Sequence, residues 1–200
     1  MPDLGGSAQK KQSFDIYFPG DTAIMQINSF LIGLSIFTAL GCSDDNPSDP
    51  PTKTASATLT ATTGNTAAGS VTFTNNGART QLTASISGAP VSALLGFHIH
   101  MNAACGDDGM EAGGHWNPQT VDHGKWTSSP HHLGDLGNLQ TDASGAATFD
   151  LSTDAWSIGS GAPDDIVNHA VVVHAMADDF TTQPTGNAGG RIACGVIQLE

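Results

Sequence analysis

The sequence predicts an all-β fold: a Greek-key β-sandwich or flattened barrel of about eight short antiparallel strands with two long functional loops. Three observations support this prediction. From residue 55 onward, apolar and polar residues alternate with a period of two, as they do in strands that bury one face. Segments rich in Gly, Asn and Asp, which are typical of turns, separate the alternating stretches. No amphipathic helical stretch of convincing length interrupts them.

An apolar run precedes this domain. FLIGLSIFTAL at 30–40 is too short to span a bilayer, which needs about twenty residues, but it fits the apolar region of a secretory signal. Cys42 follows closely, and the residues before it resemble the cleavage box of a bacterial lipoprotein, which makes Cys42 the lipidation candidate. We therefore predict export to the periplasm, with a membrane anchor where Cys42 is lipidated. The alternative is a short buried helix or strand over the apolar run.

The N-terminal part divides into three segments on this interpretation. Residues 1–24 are either an extended leader or the result of a start codon set too early, with Met25 as the true start. Residues 25–42 form the signal segment, and the Pro-, Ser- and Asp-rich residues 43–54 form a tether. Residues 55–200 are the predicted folded domain.

Seven segments of the domain have the composition of strands. The short alternating ones are, in chain order, ATLTATT (57–63), SVTFT (70–74), TQLTASIS (80–87) and ATFDLS (147–152). The apolar runs LLGFHIHM (94–101) and HAVVVHAM (169–176) are expected to be central strands, and RIACGVIQL (191–199) the last one. Residues 102–135 and 177–190 lack the alternation. Long segments of this kind in a compact domain are usually functional, so we expect the two functional loops there.

Histidines concentrate at and after one of the central strands. The chain has eight, and six of them fall in the segment that closes at Asp135. His98 and His100 lie two apart on a predicted strand, so their side chains leave the same face and can approach one ion. His132 and Asp135 are close enough in the chain to converge on a second ion, and His174 ends a distant apolar strand. Imidazole suits copper and zinc and a carboxylate can complete a zinc site, so the crowding predicts metal binding.

The charge of the chain restricts its partners. The formal net charge is −13, with only six Lys and Arg residues. Because nucleic acid binding requires basic patches, we expect no nucleic acid partner. An anionic substrate would be repelled by the overall field and would need a local region of positive potential.

Five sequence blocks resemble the signature segments of copper/zinc superoxide dismutase. They are GFHIH (96–100), GGHWNP (113–118), HLGDLGN (132–138), VVVHAMADD (171–179) and GNAGGRIACGVI (186–197). Intervals of 2, 15, 8, 9 and 3 residues, as in that family, separate His98, His100, His115, His123, His132 and Asp135. The resemblance extends over roughly residues 55–200.

The resemblance implies a ligand set for each metal. Copper would be held by His98, His100, His115 and His174, and zinc by His115, His123, His132 and Asp135. His115 would then bridge the two ions as an imidazolate.

The resemblance also implies roles for residues around the metals. Asp178 matches the carboxylate that links a copper-binding to a zinc-binding histidine. Cys105 and Cys194 match the disulfide within the subunit, and the position of Cys105 resembles that in the bacterial exported branch. Arg191 matches the arginine that holds a small anion beside copper.

The activity implied is dismutation of the superoxide anion to oxygen and hydrogen peroxide, by alternating reduction and oxidation of copper. Arg191 and His115 would be the catalytic residues, with zinc orienting His115. The second loop carries no Lys or Arg from Thr181 to Gly190, so Lys125 in the first loop is the candidate guide for the anion. We expect slower turnover at low ionic strength than in members with lysines in that loop.

Several alternatives remain open. The same scaffold could serve as an exported copper or zinc carrier without turnover, or as an adhesion-like structural lipoprotein. The chain could be a monomer or a homodimer. His131 is expected to be exposed and His169 to be structural, without a role in the site.

Overall fold

The computed structural model describes residues 51–200 of the chain. Within that range it contains nine β-strands and one short 3-10 helix, Met110–Ala112. The strands are β1 Lys53–Ala61, β2 Ala68–Asn75, β3 Thr80–Ser87, β4 Leu94–His100, β5 Gly137–Gln140, β6 Ala147–Thr153, β7 Ala170–His174, β8 Arg191–Val196 and β9 Gln198–Leu199. No helix within residues 51–200 has the length and apolar character that crossing a bilayer requires.

The strands form one antiparallel sheet that nearly closes on itself. Its order is β5-β4-β7-β8-β1-β2-β3-β6, and β9 pairs with the first part of β1. The two end strands are consecutive in the chain, and a turn in which Asp142 N–H donates to the Ala146 carbonyl (2.8 Å) joins them. The pairs β4–β7 and β8–β1 join strands distant in sequence, which gives Greek-key connections. The predicted all-β flattened barrel is therefore confirmed.

The period-two alternation fills the interior of the barrel. In β3 every second residue is buried, from Thr80 to Ile86. Phe73 meets Trp156 edge to face with ring centroids 6.1 Å apart. Phe97 of β4 meets Phe149 of β6 in the same way at 5.3 Å, so the inward face of β4 packs in the core.

Apart from shifts of one or two residues at strand ends, the strands differ from expectation in three places. β1 begins at Lys53, earlier than expected, because its buried residues there are small alanines that give a weak apolar signal. β5, residues 137–140, was not predicted since it is short and begins with glycine. The last apolar run is divided at Ile197, whose N–H donates to the His169 carbonyl (2.8 Å) instead of continuing β8.

The predicted leader, the signal segment and most of the tether lie outside the described residues. The same holds for Cys42, so the structure describes neither its environment nor its modification. The predicted end of the tether at residue 54 is wrong, because Lys53 and Thr54 already pair with β2.

Candidate metal centre

Two adjacent strands bring the first histidines together. In β4, Phe97 faces the core, so His98 and His100 leave the opposite face of the strand. β7 pairs with β4 and ends at His174, which places a third ring beside the first two. His115 in the first loop forms an isolated bridge with His100. All four rings are buried under the loops, with at most 5% of any of these residues exposed.

These residues form one of two clusters of ligand atoms. In the first cluster, one nitrogen from each of His98, His100, His115 and His174 lies within 4.8 Å of the others. The Nε2 atoms of His100 and His174 are 3.2 Å apart. Since all four donors are imidazoles, this cluster has the donor chemistry that suits copper.

The second cluster combines three imidazoles and one carboxylate. It consists of His115, His123, His132 and Asp135, again within 4.8 Å. Oδ1 of Asp135 lies 2.8 Å from Nδ1 of His115, 3.0 Å from that of His123 and 3.1 Å from that of His132. Asp135 is completely buried, and its Oδ2 accepts the backbone N–H of His132 at 2.8 Å. This donor set is typical of a tetrahedral zinc site.

The outer ring nitrogens fix the orientation of the histidines. The Asp178 carboxylate accepts from His98 (2.9 Å) and from His123 (3.0 Å). Backbone carbonyls accept from the other three rings: Gly113 from His100 (2.9 Å), Val121 from His132 (3.0 Å) and Gly189 from His174 (3.2 Å). A carbonyl or carboxylate can only accept, so each outer nitrogen carries the hydrogen. The inner nitrogen is left with a free lone pair, as a metal ligand requires.

Four inner nitrogens have no hydrogen-bond partner among the described residues. They are Nδ1 of His98, Nε2 of His115, Nδ1 of His123 and Nδ1 of His132. A buried polar atom without a partner is costly, and here the atoms converge on two points. The residues present therefore fit two metal ions.

His115 belongs to both clusters. Its Nδ1 contacts Asp135 in the second cluster, and its buried Nε2 is directed to the first. Burial lowers the pKa of His115 to about 4 and that of His174 to about 3, so both rings are neutral at pH 7. Neutral imidazole is the form that binds metal.

Asp178 is buried between the clusters. Burial raises the pKa of its carboxyl, but hydrogen bonds from His123 and His98 outweigh that effect and hold the pKa below its ordinary value. Asn138 fixes the backbone of Asp178 by accepting its N–H (2.7 Å) and donating to its carbonyl (2.9 Å). One ionised carboxylate thus orients a ring in each cluster.

Arg191 begins β8 beside the first cluster. Its guanidinium donates to the carbonyls of Gly109 and Gly113, and the Gly113 carbonyl also accepts from His100. Burial lowers the pKa of Arg191, whose ordinary value is so high that the group stays charged. Farther along β8, Cys194 forms a disulfide with Cys105 (S–S 2.03 Å), which ties the first loop to this strand.

Three further residues considered in the sequence lie outside the clusters. Lys125 is exposed, with Nζ 5.6 Å from the ring centroid of Phe180 in the second loop. His131 is half-buried rather than fully exposed and contacts the Trp126 ring. His169 donates to the Met101 carbonyl at 2.7 Å, a structural contact.

Sequence reasoning did not identify the residues that orient the ligands through their backbone. The carbonyls of Val121, Gly113 and Gly189 are supplied by chain geometry, and a carbonyl leaves no signature in residue type. Asn138 offered a signal, since it lies within a block that resembles the family, but its contact with Asp178 depends on β5, which the alternation does not reveal.

A nearly closed antiparallel barrel with two buried donor clusters that share one histidine defines a protein with two adjacent metal sites. Residues 67–197 match the family "Copper/zinc superoxide dismutase (SODC)". The chain belongs to the copper/zinc superoxide dismutase family, and its cofactors are copper and zinc.

Individual relatives agree with this family. The chain is 36% identical over 135 residues to an extracellular Cu-Zn superoxide dismutase of Caenorhabditis elegans, covering 64% of this chain and 60% of the relative. It is 37% identical over 135 residues to that of Schistosoma mansoni, covering 64% of this chain and 72% of the relative. The crystal structure of the clock protein EA4 matches with a TM-score of 0.64 and 37% identity, covering 72% of this chain and 93% of that one. The chain thus spans less than two thirds of the nematode relative.

Proposed function

We propose that this chain catalyses the dismutation of superoxide to oxygen and hydrogen peroxide. The observation that carries the proposal is the shared ring of His115, which supplies Nε2 to a cluster of imidazoles and Nδ1 to a cluster that contains a carboxylate. Family membership and the extracellular superoxide dismutases among the relatives support the same activity.

The donor chemistry assigns one metal to each cluster. Copper, which accepts an all-imidazole set, would be held by His98, His100, His115 and His174. Zinc, which accepts a carboxylate as its fourth ligand, would be held by His115, His123, His132 and Asp135. Copper supplies one-electron oxidation and reduction of superoxide, and zinc supplies a fixed charge without redox chemistry.

His115 and Arg191 are the catalytic residues in this proposal. The buried Nε2 of His115 lies between the two clusters and would be the atom that holds and releases a proton, and two cations beside the ring would favour the release. Nε2 is then the atom from which a proton passes to the product. The permanently charged guanidinium of Arg191, held by two carbonyls beside the first cluster, binds the superoxide anion.

Asp178 positions the rings on which this chemistry depends. By accepting from His98 and His123 it keeps one ring of each cluster aimed at its metal. The disulfide between Cys105 and Cys194 keeps the loop that carries the Arg191 carbonyl partners against β8.

We place the protein outside the cytoplasm. The two named relatives are extracellular enzymes, which supports export. In finer detail, we propose a bacterial exported form with residues 1–24 as leader or mis-set start, 25–42 as signal, 43–52 as tether and an enzyme domain that begins with β1 at Lys53. Cys42 would carry a lipid anchor that holds the domain, as monomer or homodimer, in the periplasm.

Mass spectrometry of membrane-extracted protein tests the anchor. The control is Cys42→Ser, which should be released from the membrane.

Metal analysis combined with a superoxide assay tests the activity. The proposal requires one copper and one zinc per chain and accelerated superoxide decay. A chain that binds both metals without turnover would be a metal carrier and would contradict it.

A further inference from the structure

One short segment supplies both carbonyl partners of Arg191. We define it as the anchor segment, residues 105–113, in which Gly109 and Gly113 accept from the guanidinium. The disulfide between Cys105 and Cys194 ties its first residue to the strand of Arg191. The Gly109 N–H donates to the Cys105 carbonyl at 3.1 Å, so the position of Gly109 depends both on this local bond and on the contacts of the turn with the barrel.

The backbone before this carbonyl is left-handed for three residues in succession. The φ angles are 50° at Asp107, 51° at Asp108 and 81° at Gly109. This conformation is uncommon for residues with a side chain, although Asp adopts it more readily than most. Consecutive residues in this region persist only where the surroundings hold them there.

Besides the contact between Arg191 and the Gly109 carbonyl, a second long-range hydrogen bond joins this turn to the body of the barrel. Oδ1 of Asp108 accepts the backbone N–H of Thr63 at 2.9 Å. The adjacent Thr62 donates its hydroxyl to the Arg191 carbonyl at 2.7 Å and its N–H to the Ile192 carbonyl at 3.2 Å. The carboxylate of Asp108 is therefore bonded to a backbone segment that is itself hydrogen-bonded to the backbone of Arg191 through Thr62.

We propose that Asp108 is a positioning residue for Arg191. By accepting from Thr63 it holds the left-handed turn in a fixed position beside β8. The Gly109 carbonyl, which belongs to this turn, is thereby directed at the guanidinium. The consequence for catalysis rests on the proposed function, in which Arg191 binds the anion. The disulfide and Asp108 together fix the anchor segment at two points, one covalent and one a hydrogen bond.

Removing the charge of Asp108 and removing its hydrogen bond are expected to change the reaction rate in opposite directions, so the two effects can be separated. Asp108 is exposed and negatively charged, and removing that charge alone reduces the repulsion of an anionic substrate. Loss of the carbonyl partner of Arg191, in contrast, lets the guanidinium move away from the anion site. Only the second effect slows the reaction.

Three variants of the full-length protein, loaded with copper and zinc and with the disulfide intact, test the proposal. Asp108→Gly tolerates the left-handed backbone but lacks the acceptor. Asp108→Asn loses the charge but keeps an oxygen that can accept from Thr63. Asp107→Gly is the matched control, since it removes the same charge at the neighbouring left-handed position, and within residues 51–200 the Asp107 carboxylate makes no hydrogen bond.

Three measurements are made on each variant: kcat/KM from superoxide decay, the affinity for azide as a small anion probe, and hydrogen exchange of the anchor segment. For Asp108→Gly we expect faster exchange and roughly tenfold losses of kcat/KM and azide affinity, since misplacing a binding group by about 1 Å can cost up to about a hundredfold. For Asp108→Asn and Asp107→Gly we expect wild-type exchange and kcat/KM equal to or above that of the wild type.

Two results would overturn the proposal. In one, Asp108→Gly matches Asp107→Gly in all three measurements, so that the hydrogen bond to Thr63 positions nothing. In the other, Asp108→Asn loses as much kcat/KM and azide affinity as Asp108→Gly, although its side-chain oxygen can still accept from Thr63. Absence of turnover in the loaded wild-type protein would contradict the proposed function instead, while azide affinity and exchange would still decide the role of Asp108.

Discussion

At the scale of single residues, the site depends on which nitrogen of each histidine is free. The backbone carbonyls of Gly113, Val121 and Gly189 and the carboxylate of Asp178 occupy the outer nitrogens, and the inner nitrogens are left to meet in two clusters. His115 alone among the ligand rings has no such outer partner, because both of its nitrogens face a cluster. The arrangement is pre-organised for two ions that share one ring.

The first prediction concerns Asp178. Asp178→Asn leaves one oxygen for two N–H donors, so His98 and His123 cannot both keep their hydrogen bond. We expect the affinity for metal to fall by about tenfold to a hundredfold in competition with a chelator. Asp179→Asn is the control, since the neighbouring carboxylate is exposed and its donors among residues 51–200 are those of Thr181 and Thr182. Equal metal affinity in the two variants would show that Asp178 does not orient the rings.

At the scale of elements, β4 and β7 place the histidines, and the loops bury them. Alternation predicted β3 with its observed bounds and all but the last residue of β6, and the apolar run at 94–101 predicted β4. The two-residue spacing of His98 and His100 predicted that their side chains leave one face of the strand. The full membership of the two clusters was implied by the resemblance to the family and not by spacing. The carbonyls that orient those rings could not be predicted, because they depend on the path of loops that carry no periodic pattern.

One loop between strands depends on a charged side chain, which gives a second prediction. The Asp165 carboxylate accepts the N–H groups of Gly159 (2.9 Å), Gly161 (2.7 Å) and Val167 (3.1 Å) between β6 and β7. Burial raises the pKa of this carboxyl, but these backbone donors outweigh that effect and lower the pKa below its ordinary value. The charged form therefore stabilises the fold above about pH 4, and this contribution is lost as the pH falls through the lower pKa of the folded state.

We expect Asp165→Asn to lower the free energy of unfolding by about 1 kcal/mol at neutral pH, a value reduced for solvent exposure. The difference should be smaller at about pH 3, which lies below the ordinary pKa of an Asp carboxyl, so that the charge stabilises the folded state less there. Urea unfolding of the metal-free, disulfide-bonded protein at the two pH values measures it. Asp154→Asn, at an exposed position, serves as the control. An equal loss of stability at both pH values would show that the charge of Asp165 is not responsible.

At the scale of the whole molecule, the charge opposes the proposed substrate. The net charge is −13, and the second loop has no cation between Thr181 and Gly190. Within residues 51–200 the cations are Lys53, Arg79, Lys125 and Arg191. On net charge alone we therefore expect an approaching anion to be repelled, except near one of these cations.

This field gives a third prediction. Salt screens repulsion, so the second-order rate of superoxide decay should be low at low ionic strength and should rise as a salt with a non-coordinating anion is added. Stopped-flow decay measures it. A steep fall with added salt would show attractive steering and contradict the prediction.

Matched variants separate local from overall charge. Lys125→Gln and Lys53→Gln change the net charge equally, but only Lys125 lies against the second loop through its contact with Phe180. If Lys125 guides the anion, its variant should lose more activity than the Lys53 variant at low salt. Equal losses of activity in the two variants would show that Lys125 acts only through the net charge of the protein.

The central claim is that two donor clusters joined through His115 hold copper and zinc for superoxide turnover. The most direct test measures superoxide decay by the full chain at defined metal content. The account predicts one copper and one zinc per chain, decay that accelerates in proportion to bound copper, and no acceleration by protein that holds zinc alone. A chain carrying both metals that leaves superoxide decay at its spontaneous rate would contradict it.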